Sequence, residues 1–217
     1  MPQVINAGIG GHNSAHLLER IARDVLAHRP TTVVLKVGTN DCLNSVALTS
    51  SDAYRANLAE LIRVLTKDSR VLVCTVLPFH EPYLLTRHQS AAYRDEPPAV
   101  RHVQVLTAIR ELAHQHQVPC CDLYSIFCGV GLVGEDPASL LRNPRNSGVE
   151  DGVHPTPNGY RVMAAAIAAA LRAHSLPLER VVCFGDSITF GSSVAGAGTS
   201  DGETYPACLA RILAAGT

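Results

Sequence analysis

Five short apolar, β-branched runs, separated by longer stretches of helical periodicity, constrain this chain more than any other feature. The runs cover residues 3–6, 32–37, 70–76, 118–121 and 180–184. Their continuous apolar character marks strands buried on both faces. Between them, Leu17, Leu18, Ile21, Val25 and Leu26 share one face of a helix expected over residues 14–28. Ser51 and Asp52 cap the next helix, which carries Leu58, Leu61, Ile62 and Leu65. Further helical patterns run over residues 100–117, 157–173 and 204–214. Strands alternating with helices predict an α/β fold with a parallel sheet covered on both sides. Residues 78–98, with four prolines and two tyrosines, read as a long loop. Residues 124–155 read as irregular, with a short helical piece near 137–142.

Length and charge narrow the possibilities. A chain of 217 residues, 47% hydrophobic, suits one medium domain with a substantial core, and no repeat or linker divides residues 1–217. The formal net charge is −1 with no long run of one sign, which argues against nucleic acid or an anionic membrane as partner. The Ala-rich run at residues 162–171 is too short to span a bilayer. The first residues lead directly into a strand, so a cytoplasmic protein is expected unless an export signal has been trimmed. The seven cysteines lack C-x-x-C spacing. Cys74, Cys183 and the pair Cys120 and Cys121 lie in or beside strand runs and read as buried thiols rather than metal ligands.

Four segments carry polar residues where a strand releases its chain. The run Val181-Val182-Cys183-Phe184 ends in Gly185-Asp186-Ser187, a tight turn suited to exposing a nucleophilic serine. Asn6 to Ser14 contains three glycines, which let backbone approach a ligand and leave helix N–H groups pointing outward. A dinucleotide fingerprint fails here, because Asn13 stands where a third glycine is needed and Lys36-Val37 where an acid is needed. In Gly38-Thr39-Asn40-Asp41, Asn40 offers a neutral amide donor to an oxyanion, although an Asn-Asp turn explains the same residues. In Asp151-Gly152-Val153-His154, a carboxylate three residues before a histidine can hold the ring Nδ1 and leave Nε2 free. Taken alone, that pair reads more readily as two surface residues.

Together the four segments resemble the blocks of the SGNH hydrolases, also called the GDSL esterase/lipase family, and the resemblance extends over essentially the whole chain. Gly185-Asp186-Ser187 matches the serine block, with Ile188 where leucine is usual. Gly11 takes the donor position of the glycine block, Asn40 that of the asparagine block, and Asp151 and His154 those of the last block. The resemblance implies a three-layer, flavodoxin-like α/β/α sandwich with a five-stranded parallel sheet. It also implies a small-molecule ester as substrate, with neither metal nor organic cofactor. Ser187, His154 and Asp151 would be catalytic, and the N–H groups of Ser187 and Gly11 with the Asn40 amide would form the oxyanion hole.

The order of the blocks departs from the family, because the serine block comes last instead of first. Joining Thr217 to Met1 makes Leu209 to Thr217 run on into Pro2 to Gly8, like the family's first helix entering its second strand. A circular permutant is therefore expected, in which residues 180–217 supply the family's first strand and helix and His174 to Glu179 form the new link. The strand order would be 1-5-2-3-4. Both break and link are helix-to-strand connections, at the sheet edge opposite the one where ligands bind.

Asp186 is expected to shape the serine turn, and His12 and His16 to lie at surface helix positions. The 78–98 loop, with Phe79, Tyr83 and Tyr93, and the 124–148 region are expected to wall the pocket. No broad hydrophobic lid stands out, which favours a short acyl or acetyl ester. An acyltransferase and a non-catalytic carbohydrate-binding derivative are the competing readings. Partitioning of the acyl group to an added alcohol separates the first from an esterase, and loss of part of the triad would mark the second.

Overall fold

The computed structural model describes residues 2–94, 96–131 and 133–215. Its strands are β1 (Gln3–Gly8), β2 (Thr32–Lys36), β3 (Arg70–Cys74), β4 (Cys120–Cys121) and β5 (Arg180–Gly185), and all pairings between them are parallel. The sheet order is β1-β5-β2-β3-β4, as the family resemblance implies, with the last strand in the chain threaded between the first two. The helices are α1 (Ser14–Asp24), α2 (Thr39–Leu43), α3 (Ser51–Leu65), α4 (Glu81–Arg87), α5 (Pro98–Gln115), α6 (Leu123–Val130), α7 (Pro144–Ser147), α8 (Pro157–Ala173), α9 (Ser187–Phe190) and α10 (Tyr205–Ala215).

Alternate strand residues serve two separate cores. Val33 and Leu35 of β2 and Val182 and Phe184 of β5 pack with α1, α3 and α5 on one face. Val34, Val181 and Cys183 pack with α6, α8 and α10 on the other. This is the three-layer sandwich, and it explains why the strand runs are apolar throughout. Cys74, Cys121 and Cys183 are buried thiols within these strands. Among the described residues, no helix is long and apolar enough to cross a membrane.

Several expected boundaries differ. The stretch at 78–98 is not a plain loop, because α4 and a 3-10 turn at Ser90–Tyr93 occupy its middle. Pro82 does not prevent this, since a proline in the first turn of a helix removes only an N–H that would have no helical partner. In the 124–155 region the helical pieces are α6 and α7, and residues 137–142 are non-helical. There Leu141 forms a bridge with Pro155 instead. The first helix ends at Asp24, followed by a 3-10 turn at Leu26–His28. Ser50, rather than Ser51, caps α3, accepting a hydrogen bond from the Ala53 N–H.

Register matters most at the carboxyl edge. Gly185 pairs with Gly8 on one side and with Lys36 on the other. Three strands thus end level with one another, and their following turns start from one line. Glycine is needed at two of these ends because the serine turn folds back over them. A Cβ on Gly8 would collide with the Phe190 backbone, and one on Gly185 with the Lys36 carbonyl and Thr189. Gly8→Ala should therefore lower stability by roughly 1–3 kcal/mol, the scale of overpacking a tight site. Gly10→Ala, whose Cβ would meet nothing within 4 Å, should leave the urea midpoint unchanged.

Candidate active site

Ser187 opens α9 directly after β5, and Asp186 is its N-cap. The Asp186 carboxylate accepts the Ile188 N–H at 2.9 Å, which shapes the serine turn as expected. It is fully buried, 3.2 Å from the ammonium of Lys36, which is also fully buried. Side-chain capping and a buried counter-charge together hold the turn that presents Ser187.

Asp151 and His154 lie on a turn whose bend requires Gly152, with φ +68°. Arg142 pins this turn through its backbone: its N–H donates to the His154 carbonyl and its carbonyl accepts the Gly152 N–H, both at 2.9 Å. Both Asp151 oxygens lie 3.0 Å from His154 Nδ1, and the Val153 and His154 N–H groups also donate to this carboxylate. His154 Nε2 lies 3.1 Å from Ser187 Oγ. A hydrogen-bond chain therefore runs from a buried carboxylate through an imidazole to a hydroxyl.

Two arginines complete the surroundings of Asp151, and neither carried a recognisable signal in the sequence. Arg87 donates from Nη2 to the Asp151 carbonyl at 3.0 Å and reaches its carboxylate at 3.4 Å, and Arg142 Nη1 approaches the other carboxylate oxygen at 3.4 Å. Burial alone would push the Asp151 pKa up. Hydrogen bonds from the His154 ring and backbone, with the charge of Arg87, outweigh it and hold the carboxyl well below the usual range.

Asn40 sits in α2 with its amide locked. Nδ2 donates to the His12 carbonyl at 2.8 Å, and Oδ1 accepts from Asn44 at 3.0 Å. One amide hydrogen remains for another acceptor. Gly11 holds φ +79°, which a residue with a side chain rarely adopts. Gly11, Asn40, His154 and Ser187 all line one cavity of about 310 Å³. The fold thus brings together every expected site residue from four separate segments.

The 78–98 segment walls this cavity as expected, but through Leu84, Arg87 and His88, joined by Leu43 and Val153, and not through Phe79, Tyr83 or Tyr93. Tyr93 is buried, and its hydroxyl donates to the Leu43 carbonyl at 2.7 Å, so it supports the wall from behind. The 124–148 region contributes to a separate cavity of about 430 Å³ beside Ser139, Arg142 and Asn146. His12 and His16 are also half-buried rather than on the open surface. His12 accepts from Arg20 Nε at 3.1 Å, and burial followed by the Arg20 charge lowers its pKa. His16 closes the capping box with Asn13 at the start of α1.

Comparison with known proteins bears on the family and the fold. The profile of the GDSL-like lipase/acylhydrolase family matches residues 1–162, so Ser187 lies beyond the matched region. An acetylxylan esterase of Xylanibacter ruminicola is 25% identical over 177 residues, covering 72% of this chain but only 32% of that protein. The chain thus spans about a third of that relative's length. An uncharacterized lipoprotein of Bacillus subtilis, YqeF, is 27% identical over 76% of this chain and 71% of its own length. Among solved structures, the acetyl xylan esterase AlAXEase is 26% identical with a TM-score of 0.59, covering 76% of this chain and 79% of its own.

The depressed Asp151 pKa makes a signed prediction. The stability it contributes is present above the unfolded carboxyl pKa of about 3.9 and is lost as pH falls toward the folded value. Urea unfolding of the wild type and Asp151→Asn should show a gap at pH 6 that narrows by pH 3. A gap independent of pH would contradict the assigned environment of Asp151.

Proposed function

The chain belongs to the GDSL-like lipase/acylhydrolase family, and from that premise we propose that it is a serine esterase that hydrolyses carboxylic esters through Ser187, His154 and Asp151. The observation that carries this reading is the continuous chain from the Asp151 carboxylate through His154 to Ser187 Oγ. In the proposed reaction, Ser187 Oγ attacks the ester carbonyl carbon while His154 Nε2 takes its proton. The tetrahedral oxyanion is met by the Ser187 and Gly11 N–H groups and the remaining Asn40 amide hydrogen. Collapse expels the alkoxide, which receives the proton from His154, and leaves an acyl-enzyme. Water then attacks the acyl carbon, giving its proton to His154. Collapse of this second intermediate releases the carboxylic acid and returns the proton to Ser187. Asp151 keeps the proton of the neutral ring on Nδ1 and stabilises the imidazolium.

The substrate reading is a short acyl ester, such as an acetyl group on a carbohydrate or small alcohol. Two observations support it. The cavity beside Ser187 is about 310 Å³, and Leu43, Leu84 and Val153 line it together with Arg87 and His88. Two of the similar proteins are named as acetyl(xylan) esterases. A panel of p-nitrophenyl esters of increasing chain length tests both points. Acetate should be the best substrate, with activity falling toward octanoate and abolished in Ser187→Ala. Asn40→Ala should lower turnover by roughly 10²- to 10³-fold. No hydrolysis of any ester by the wild type would overturn the proposal.

We also propose that the chain is a circular permutant of the family's usual order. The strand order and the position of Ser187 after the matched region support this. Of the junction between the family's first helix and second strand, Gly216, Thr217 and Met1 lie outside the described residues. A chain rebuilt to begin at Glu179, run to Thr217, continue into Pro2 and end at Ala173 should keep its circular-dichroism spectrum and its ester hydrolysis. Loss of folding in that variant would count against the permutation.

A further inference from the structure

Lys36 is the last residue of β2, and it is fully buried. A lysine there is costly, because an ammonium removed from water must be compensated by close partners. A buried ion pair is also a poor source of stability, since an apolar residue of similar volume often serves as well or better. The neighbours of the ammonium suggest a different role. Nζ donates to Thr39 Oγ1 at 2.6 Å and lies 3.2 and 3.4 Å from the two Asp186 oxygens. Thr39 directly precedes Asn40, and Asp186 directly precedes Ser187. One buried cation therefore ties the turn of the proposed oxyanion donor to the turn of the proposed nucleophile. Register reinforces this link, because Lys36 pairs with Gly185 at the end of β5.

We propose that Lys36 is a positioning residue, whose ammonium fixes the relative placement of Ser187 and Asn40 and cancels the Asp186 charge behind the oxyanion hole. The proposal rests on the serine-esterase reading for its catalytic consequence. Without the ammonium, the Asp186 carboxylate would remain buried beside the place where negative charge develops in the transition state. In a site of low dielectric that charge opposes the oxyanion. Thr39 would also lose its tether to the serine turn.

The test compares the wild type with Lys36→Met and with Lys36→Met/Asp186→Asn. The double variant leaves no unpaired buried charge and retains a side chain able to cap α9, so it carries the test if the single variant does not fold. With p-nitrophenyl acetate, kcat per folded molecule should fall about 10- to 100-fold in Lys36→Met, with a smaller loss in the double variant. KM should change by less than about threefold, because the lost interaction acts in the transition state. Independently of any activity, the NMR signals of the Ser187 backbone amide and the Asn40 side-chain amide should shift together in both variants. Wild-type kcat in both variants together with unmoved amide signals would overturn the proposal, even if melting temperatures fell. If the wild type hydrolyses no ester, the esterase reading fails, and the two amide signals still decide whether Lys36 positions these turns.

Discussion

The parallel hydrogen bonding of β5 between β1 and β2 is the constraint on which the rest depends. Its register sets Gly8, Gly185 and Lys36 in line, so three chain segments leave the sheet at one level. Three of the groups around the cavity start from that line: Gly11 after β1, Ser187 after β5 and Asn40 after β2. A one-residue slip would turn every side chain of the strand to the other face and exchange its two cores. The two separate apolar clusters therefore specify register and, with it, the geometry of the site.

Buried charge then holds what the sheet brings together. Arg20 is almost wholly buried, and its guanidinium donates to the Ala7 and Gly185 carbonyls at 2.9 and 2.7 Å, joining the ends of β1 and β5. It also reaches His12, whose carbonyl accepts the Asn40 amide. Asp41 accepts from both the backbone N–H and the hydroxyl of Ser14, linking the asparagine turn to the start of α1. Satisfied polar networks of this kind are rigid because each member left unpaired would be costly. The cavity floor is thus tightly braced, while α4 on its wall carries the exposed residues Leu85 and Arg87.

Chain order and site geometry are separable in this architecture. The link at residues 174–179 enters β5 at the amino edge of the sheet, where Thr32 Oγ1 donates to the Pro177 carbonyl at 2.6 Å. The cavity lies at the opposite, carboxyl edge. Helix-to-strand connections can be cut or joined at the amino edge without touching a side chain at the cavity, which is the physical basis for the proposed permutation. The cost falls on folding, since the interior strand β5 is made last and pairs across most of the chain length.

Strand positions, the major helices, the sheet order and the five proposed site residues were legible in the sequence. Apolar runs and turn residues encode strand ends locally, and polar residues at strand ends converge whenever the strands are parallel. Helix α4 was hidden because prolines mask a short helix, and α6 because eight largely apolar residues are too few to show a helical period. Arg87 and Arg142 around Asp151, and Lys36 beneath the two turns, had no local pattern. Their partners are distant along the chain, Lys36 and Asp186 being 150 residues apart. The sequence by itself determined which groups could do the proposed chemistry. Only the tertiary structure decided which side chains wall the cavity and which buried charges hold it, because those contacts arise from packing between elements that share no local pattern.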